Sequence, residues 1–321
     1  MKVPHKLISF LREEDNFFIA THINPEPDAI GSSLALSMAL ESLGKKTFLY
    51  ERDGVPEIYT FLPGHEKFFR NRAALDTRHL PLILLDCNTP DRAGIENDDF
   101  KCSVVIDHHE TEKNFGDIKW VDPDAAATGM MIFYLLKKLR IALKEDIATN
   151  LYAAIAIDTG TFRYSNTTAE VLRVGAELIE AGANPASIAD SLYETWSKRR
   201  FALLIMSLNT LEIRDHIAIT HVSKEMFQKT GTCPDDTENF TNFPRMMKDI
   251  HIAAFFRQEE DDLWKISLRS KGIVNVAKIA THFQGGGHKN AAGYKTRGDL
   301  KTVKEALLQR LHSLPALNKE K

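Results

Sequence analysis

Cysteine is scarce in this chain of 321 residues: Cys87, Cys102 and Cys233 are the only three, and no two stand in a CxxC spacing. A disulfide framework and a thiolate zinc site are thereby excluded. Long apolar runs are missing as well. No stretch of about 18 residues is apolar and free of charge, so no segment is expected to span a membrane. The opening MKVPHKLISFLREEDNFF has neither the apolar core nor the cleavage pattern of a secretory signal, which makes a reducing cytoplasm the expected compartment. An excess of one charge is also lacking, since 41 Lys+Arg stand against 44 Asp+Glu for a formal net charge of −3. A stable complex with long duplex DNA needs a basic surplus that this composition does not have. Small phosphorylated ligands need only a local site.

What is present suffices for two cores, with 43% hydrophobic content over this length. The first half reads as α/β. NFFIATH, KKTFLY, LPLILLD (80–86) and CSVVIDHH (102–109) are short apolar runs, as in a parallel sheet covered by helices. After the first of them comes a helix, DAIGSSLALSMALESLG, with a one-sided stripe at Ile30, Leu34, Met38 and Leu43 and with Gly44 as C-cap. TGMMIFYLLKKL, EDIATNLYAAIAI and TAEVLRVGAELIEAG are further helices, the last stopped by Gly182 and the NP at 184–185. Residues 192–213 read as one long connecting helix. Beyond it HIAITHVS, DIHIAAFFRQ and LWKISLRSK read as strands, and VNVAKIATHF and KTVKEALLQRLHSL as helices. The expected organisation is a mostly parallel α/β domain over 1–190, a helical linker over 191–214, and a smaller α+β domain over 215–321, with a cleft between the two domains.

In open α/β sheets, ligands bind beyond the C-terminal ends of the strands. Charged side chains stand at those ends here: His22, Glu26 and Asp28 after the first run, Asp86 after LPLILL, and Asp107, His108 and His109 after VVI. Asp158 ends the apolar helix YAAIAI. Parallel strands gather such residues along one edge. Imidazole nitrogen and carboxylate oxygen without thiolate suit divalent manganese, magnesium, iron, cobalt or zinc. Four carboxylates ask for two divalent ions, because one ion leaves an anionic pocket in which pKa values are forced upward. Two ions sharing a carboxylate clamp both oxygens of a phosphoryl displacement, with no need of a nucleophilic serine or cysteine. Cys87 follows Asp86 directly, and neighbouring strand side chains point to opposite faces, so it reads as core.

GGGHKNAAGY, residues 285–294, is expected as a loop that ends the preceding helix. Gly285, Gly286 and Gly287 permit close backbone approach, and their N–H groups can form an anion nest. His288 can donate to a phosphate. Arg269 in SLRSKG offers a forked donor, and Lys271 adds a second positive charge. No GK[ST] follows the glycines, and no strand precedes them, so neither a Walker A loop nor a dinucleotide fingerprint fits.

In order, HINPEPDAIGS, LLDCNTPDR, VVIDHHET, AIDTGTFR and FQGGGHKNAAGY resemble the signature motifs of the DHH phosphoesterase superfamily with its DHH-associated C-terminal domain. Within it, the chain looks most like the bifunctional oligoribonuclease and PAP phosphatase group, where PAP is 3′-phosphoadenosine 5′-phosphate. The resemblance implies a two-metal enzyme that hydrolyses very short RNA to mononucleotides and PAP to AMP. Manganese is the metal it implies first, with magnesium or cobalt as alternatives. His22, Glu26 and Asp86 would hold the first ion, and Asp28, Asp86, His108 and Asp158 the second, with Asp86 as the bridge. His109 would act at the scissile phosphate, and Asp107 would orient the histidine pair. Arg163 in DTGTFR would steady a phosphate. Arg269, Lys271, His288 and the three glycines would grip the nucleotide. Short RNA, phosphorylated nucleotides and a second copy of the chain are the implied partners. The same motifs admit a cyclic or linear dinucleotide phosphodiesterase, and a catalytically weakened nucleotide-binding module is the alternative of another class. One residue departs from the family pattern HxNPDxD, which has Asp where Glu26 stands. Glutamate keeps the charge and is one methylene longer, so an altered metal preference is expected.

Overall fold

The computed structural model describes residues 1–72, 75–95, 99–109, 115–272 and 274–312, and of His288 and His312 the backbone alone. The chain divides into two compact units, Met1–Thr195 and Trp196–Lys321.

The first unit opens with α1 (His5–Glu13), β1 (Asn16–Ala20), α2 (Pro27–Ser42) and β2 (Lys46–Tyr50). It continues with β3 (Pro81–Leu85), β4 (Cys102–Asp107), β5 (Ile118–Val121), α3 (Thr128–Leu139), α4 (Glu145–Asp158), α5 (Ala169–Glu180) and α6 (Pro185–Tyr193). The five strands run parallel in the order β2-β1-β3-β4-β5. Side chains alternate between two cores. Phe17, Ile19, Ile83, Leu85, Val104 and Ile106 enter one, which α1 to α6 close. Phe18, Ala20, Leu82, Leu84 and Val105 enter the other. That second face is closed by loops and rings rather than by long helices, with Tyr50, Phe69 and Phe100 gathered on Phe18 at centroid distances of 5.6, 6.0 and 5.2 Å. Among the described residues, α-helices therefore cover one face of the sheet.

The chain leaves β1 toward one edge to build β2, then returns to the other side of β1 for β3. This reversal opens a crevice beyond the C-terminal ends of β1 and β3. Thr21 Oγ1 donates to the Leu85 carbonyl there at 2.8 Å and ties the two strand ends together. α2 starts at this crevice. It has no one-sided stripe, because it is sandwiched between the sheet and α4 and is buried on all sides through most of its length; of the four stripe residues Leu43 is 48% exposed. The crossing with α4 is close: a Cβ at Gly31 would lie 2.4 Å from the Asn150 carbonyl oxygen.

The second unit contains α7 (Lys198–Leu208), β6 (Glu212–Arg214), β7 (Ile217–Val222), α8 (Lys224–Thr230), α9 (Asn242–Arg245) and β8 (Ile252–Gln258). β9 (Leu263–Ser270), α10 (Val276–His282), β10 (Gly286–His288), β11 (Ala291–Arg297) and α11 (Leu300–His312) complete it. Its sheet has the order β10-β11-β9-β8-β7-β6, antiparallel except for the β7–β8 pair. One core joins Ile219, Phe256 and Ile266 to Ile279 of α10 and Leu307 of α11. A smaller one joins Leu203 of α7 to Phe240 and Phe255.

Two expectations are corrected here. The stretch 192–213 is not one helix. α6 ends at Tyr193, Ser197 starts α7 afresh by accepting from the Arg200 N–H, and Glu212–Arg214 is a strand. Trp196 turns instead into the second unit, with the Arg200 guanidinium 4.0 Å from its ring centre and Phe240 5.9 Å away. The GGGH segment is not a loop either. Gly286, Gly287 and His288 pair with Gly293, Ala292 and Ala291 of β11, a partner that no local pattern reveals.

Candidate metal centre

Each ligand-type side chain reaches the crevice from a strand end or a helix end. His22 follows β1 by two residues, Glu26 is the N-cap of α2, and Asp28 lies in the first turn of α2. Asp86 follows β3 in a left-handed backbone conformation, φ 57°, and its N–H extends the ladder to Ile106 O at 3.0 Å. Asp and Asn tolerate this conformation better than most residues. Asp107 closes β4, with His108 and His109 immediately beyond, and Asp158 closes α4.

The structure brings these residues together. Three sets have ligand atoms lying within 4.8 Å of one another: His22, Glu26 and Asp86; Asp28, His108 and Asp158; and Asp86, His108 and His109. Asp86 belongs to two of them. Its Oδ2 lies 3.5 Å from His22 Nε2, and its Oδ1 lies 3.5 Å from His108 Nε2. His108 Nε2 also faces Asp158 at 3.1 Å and Asp28 at 3.7 Å. The Nδ1 atoms of His22 and His108 pair with the carbonyls of Ile23, at 3.0 Å, and Ala125, at 3.2 Å. Those bonds occupy Nδ1 and leave Nε2 turned to the acids, which is the arrangement of a metal-ligating histidine. His109 is held differently: its Nδ1 pairs with the buried Asp107 Oδ1 at 2.6 Å.

α3 contributes as well. Its first two N–H groups, of Thr128 and Gly129, donate to the Asp28 carboxylate at 2.7 and 2.8 Å. The Thr128 hydroxyl donates to Asp86 Oδ1 at 3.0 Å. Asn166 Nδ2 spans the Asp158 and Ala126 carbonyls at 3.1 and 3.2 Å and so joins the ends of α4 and the turn before α3. The sequence reading missed Thr128, Gly129 and Asn166, since TGMM reads only as the start of a helix.

Electrostatics show acids short of positive charge. Burial, then the charges of Asp86 and Asp158, raises the Asp28 carboxyl well above the usual range. Glu26 reaches solvent at the rim, yet the protein around it strips its hydration; that, followed by Asp158 and Asp86, pushes it up to about 7. Burial raises Asp158 too, against the pull of His108. Burial opposes the charge on His108, but Asp158, Asp28 and Asp86 outweigh it and lift the imidazole to about 11. Burial likewise opposes ionisation of Asp86, yet His22, His108 and His109 hold it at about 2. Asp86 Oδ2 is buried without a hydrogen-bond donor. Oxygen and imidazole donors, an orphaned carboxylate oxygen and acids driven toward protonation all fit divalent cations.

The remaining expected residues are described within their own units. Arg163 is exposed, and its Nε donates to the Gly160 carbonyl at 2.7 Å. In the second unit, Arg269 is half-buried on β9 opposite Ala253 and Ala291. Lys271 spends its amine on the Met247 carbonyl at 2.7 Å. Gly285 and Gly287 lie so close to β11 that a Cβ would come within 2.2 Å of Gly293 O and 2.4 Å of Ala291 O, whereas at Gly286 the space is open. The side chain of His288 lies outside the described residues. Cys87 belongs to none of the three sets; it is buried and donates to the Thr89 carbonyl.

Residues 16–155 match the DHH family, N-terminal domain, and residues 217–314 match the DHHA1 domain. Over 302 residues the sequence is 35% identical to the bifunctional oligoribonuclease and PAP phosphatase NrnA of Thermus thermophilus, covering 92% of this chain and 89% of that protein. The Bacillus subtilis protein of the same name is 28% identical over 305 residues, covering 90% and 91%. A crystal structure from Bacteroides fragilis, described as an exopolyphosphatase-related protein, gives a TM-score of 0.91 at 26% identity and covers 98% of this chain and 97% of its own.

Proposed function

Because this chain belongs to the DHH phosphoesterase family, a family of metal-dependent hydrolases, we propose that it cleaves very short oligoribonucleotides to mononucleotides and PAP to AMP. The observation that carries this reading is the Asp86 carboxylate, which turns one oxygen to His22 and the other to His108. His22, Glu26 and Asp86 would hold one divalent ion, and Asp28, Asp86, His108 and Asp158 a second. Manganese is our first assignment. When bound, the pair of ions supplies charge neutralisation and Lewis-acid activation of phosphate and water. His109, braced through Nδ1 by Asp107, is assigned to pass a proton to the departing oxygen. Arg269, Gly285, Gly286, Gly287 and His288 are assigned to the nucleotide phosphates, with Lys271 and Arg163 as lesser contributors because each already serves a carbonyl.

The test is metal analysis beside hydrolysis of dinucleotide RNA, PAP, pApA, cyclic di-AMP and pyrophosphate. Two manganese ions per chain and fastest turnover of dinucleotide RNA and PAP are expected. Asp86→Asn, which preserves the left-handed backbone, is expected to be the worst single change. Retention of near wild-type rate by D86N would overturn the bridging assignment.

We also assign the chain to the cytoplasm as a homodimer. Among the described residues no helix is long and apolar enough to cross a membrane. The support for a second copy is α5. Leu172 and Ile179 are 54% and 46% exposed on its outer side, with Arg173, Ala176 and Glu180 also exposed. Two such helices packed antiparallel about Ala176 would set Leu172 of one copy on Ile179 of the other, and Arg173 on Glu180. Arg173→Glu should shift light-scattering mass toward monomer, and R173E/E180R should restore it.

A further inference from the structure

Asp86 can serve two ligand sets only if its carboxylate plane is fixed. Rotation about its terminal torsion costs little in itself, because that torsion has a broad, two-fold profile. A turn would take one oxygen away from His22 or the other away from His108. The histidines do not supply the restraint. The Nδ1–H of His22 and of His108 is directed to a carbonyl, and each Nε2 stands 3.5 Å from its Asp86 oxygen, further than the 3.0 Å of the Thr128 hydroxyl.

The restraint comes from Thr128. Its hydroxyl is buried, lies 3.0 Å from Asp86 Oδ1, and has a carboxylate before it, so the hydroxyl is the donor. The same residue donates its N–H to Asp28 Oδ2 at 2.7 Å. One residue at the start of α3 thus ties together two acids from two other elements. With Oδ1 pinned, Oδ2 faces His22 and carries no donor of its own. We infer that Thr128 is a positioning residue that locks the Asp86 carboxylate so that one oxygen serves each ligand set. The inference rests on the metal reading given above.

The test compares wild type, Thr128→Val and Thr128→Ser by calorimetric titration with Mn2+ alone, without substrate. Valine keeps the shape and the N–H to Asp28 and removes only the hydroxyl. The expected result is an affinity for Mn2+ about 10–100-fold weaker in T128V, with T128S within about threefold of wild type, as for other groups that orient metal ligands. Melting of the metal-free proteins provides the second readout, because a purely structural role would lower that melting point and leave the affinity alone. Unchanged Mn2+ affinity in T128V, or equal loss in T128S, overturns the inference while leaving the metal reading intact. Failure of the wild type to bind Mn2+ overturns both.

Discussion

Glu26 sets the character of the centre at the scale of single residues. It sits at the rim where its neighbours sit inside, and its carboxyl is pushed up to about 7 by lost hydration and by Asp158 and Asp86. In the proposed ligand role a longer side chain at that place would reach its ion from further back, so the ion or the loop would have to shift. Glu26→Asp is expected to change the ratio of Mn2+ to Mg2+ affinity by about three- to tenfold, with the fold unaltered. Parallel titrations with Mn2+, Co2+ and Mg2+ check this, and superimposable profiles would make the substitution silent. The ligand-type residues were legible in the sequence because His22, Asp86 and His108 stand just past apolar strand runs, and parallel strand ends converge by construction. Thr128 was not legible. Its partners lie 42 and 100 residues away, and a threonine that opens a helix has an ordinary explanation without them.

Elements fix how closely those residues can approach. α2 carries Asp28 inward only because it lies flat on α4, and Gly31 makes room for the Asn150 backbone. Gly31→Ala would drive a methyl to 2.4 Å from that carbonyl oxygen, so α2 must lift. A loss of about 1–3 kcal/mol in urea unfolding is expected, together with weaker Mn2+ binding. Stability equal to wild type would show that the crossing relaxes freely. The three strands that lead into ligand-type residues, β1, β3 and β4, were readable from apolar runs. The all-round burial of α2 was not, because Ser32, Ser33 and Ser37 interrupt its hydrophobic pattern although all three are buried. β10 escaped because glycine carries no strand signal, and only the pairing with β11 makes it one. The break before α7 escaped because Trp196 and Leu203 look like one continuous apolar pattern from sequence, while Trp196 packs on Phe240.

The whole molecule has two units, each with its own core, and their responses to pH should differ. In the metal-free first unit, Glu26 moves from an ordinary 4.5 to about 7, and Asp28 and Asp158 move in the same direction. The native state then holds more protons than the unfolded chain between those values, so this unit loses stability as pH rises from about 4.5 to 7. In the second unit, burial and Lys304 depress His221 from 6.5 to about 4. There the unfolded chain holds more protons, so stability rises with pH across that window. Scanning calorimetry at several pH values, with chelator and with Mn2+, should show two transitions that move in opposite directions. Only the first should respond to the metal, by about 2.7 kcal/mol at a hundredfold excess over Kd for each site. Movement of the second transition with Mn2+ would overturn this division. A last consequence concerns solubility. The six-stranded sheet of the second unit ends at both sides in a strand of three residues, β10 and β6. So short a border offers few unpaired peptide groups to a foreign strand, and β6 adds Glu212 and Arg214 as charged guards. The sheet is thereby a poor template for edge-to-edge aggregation, and lengthening either border strand with apolar residues should create one.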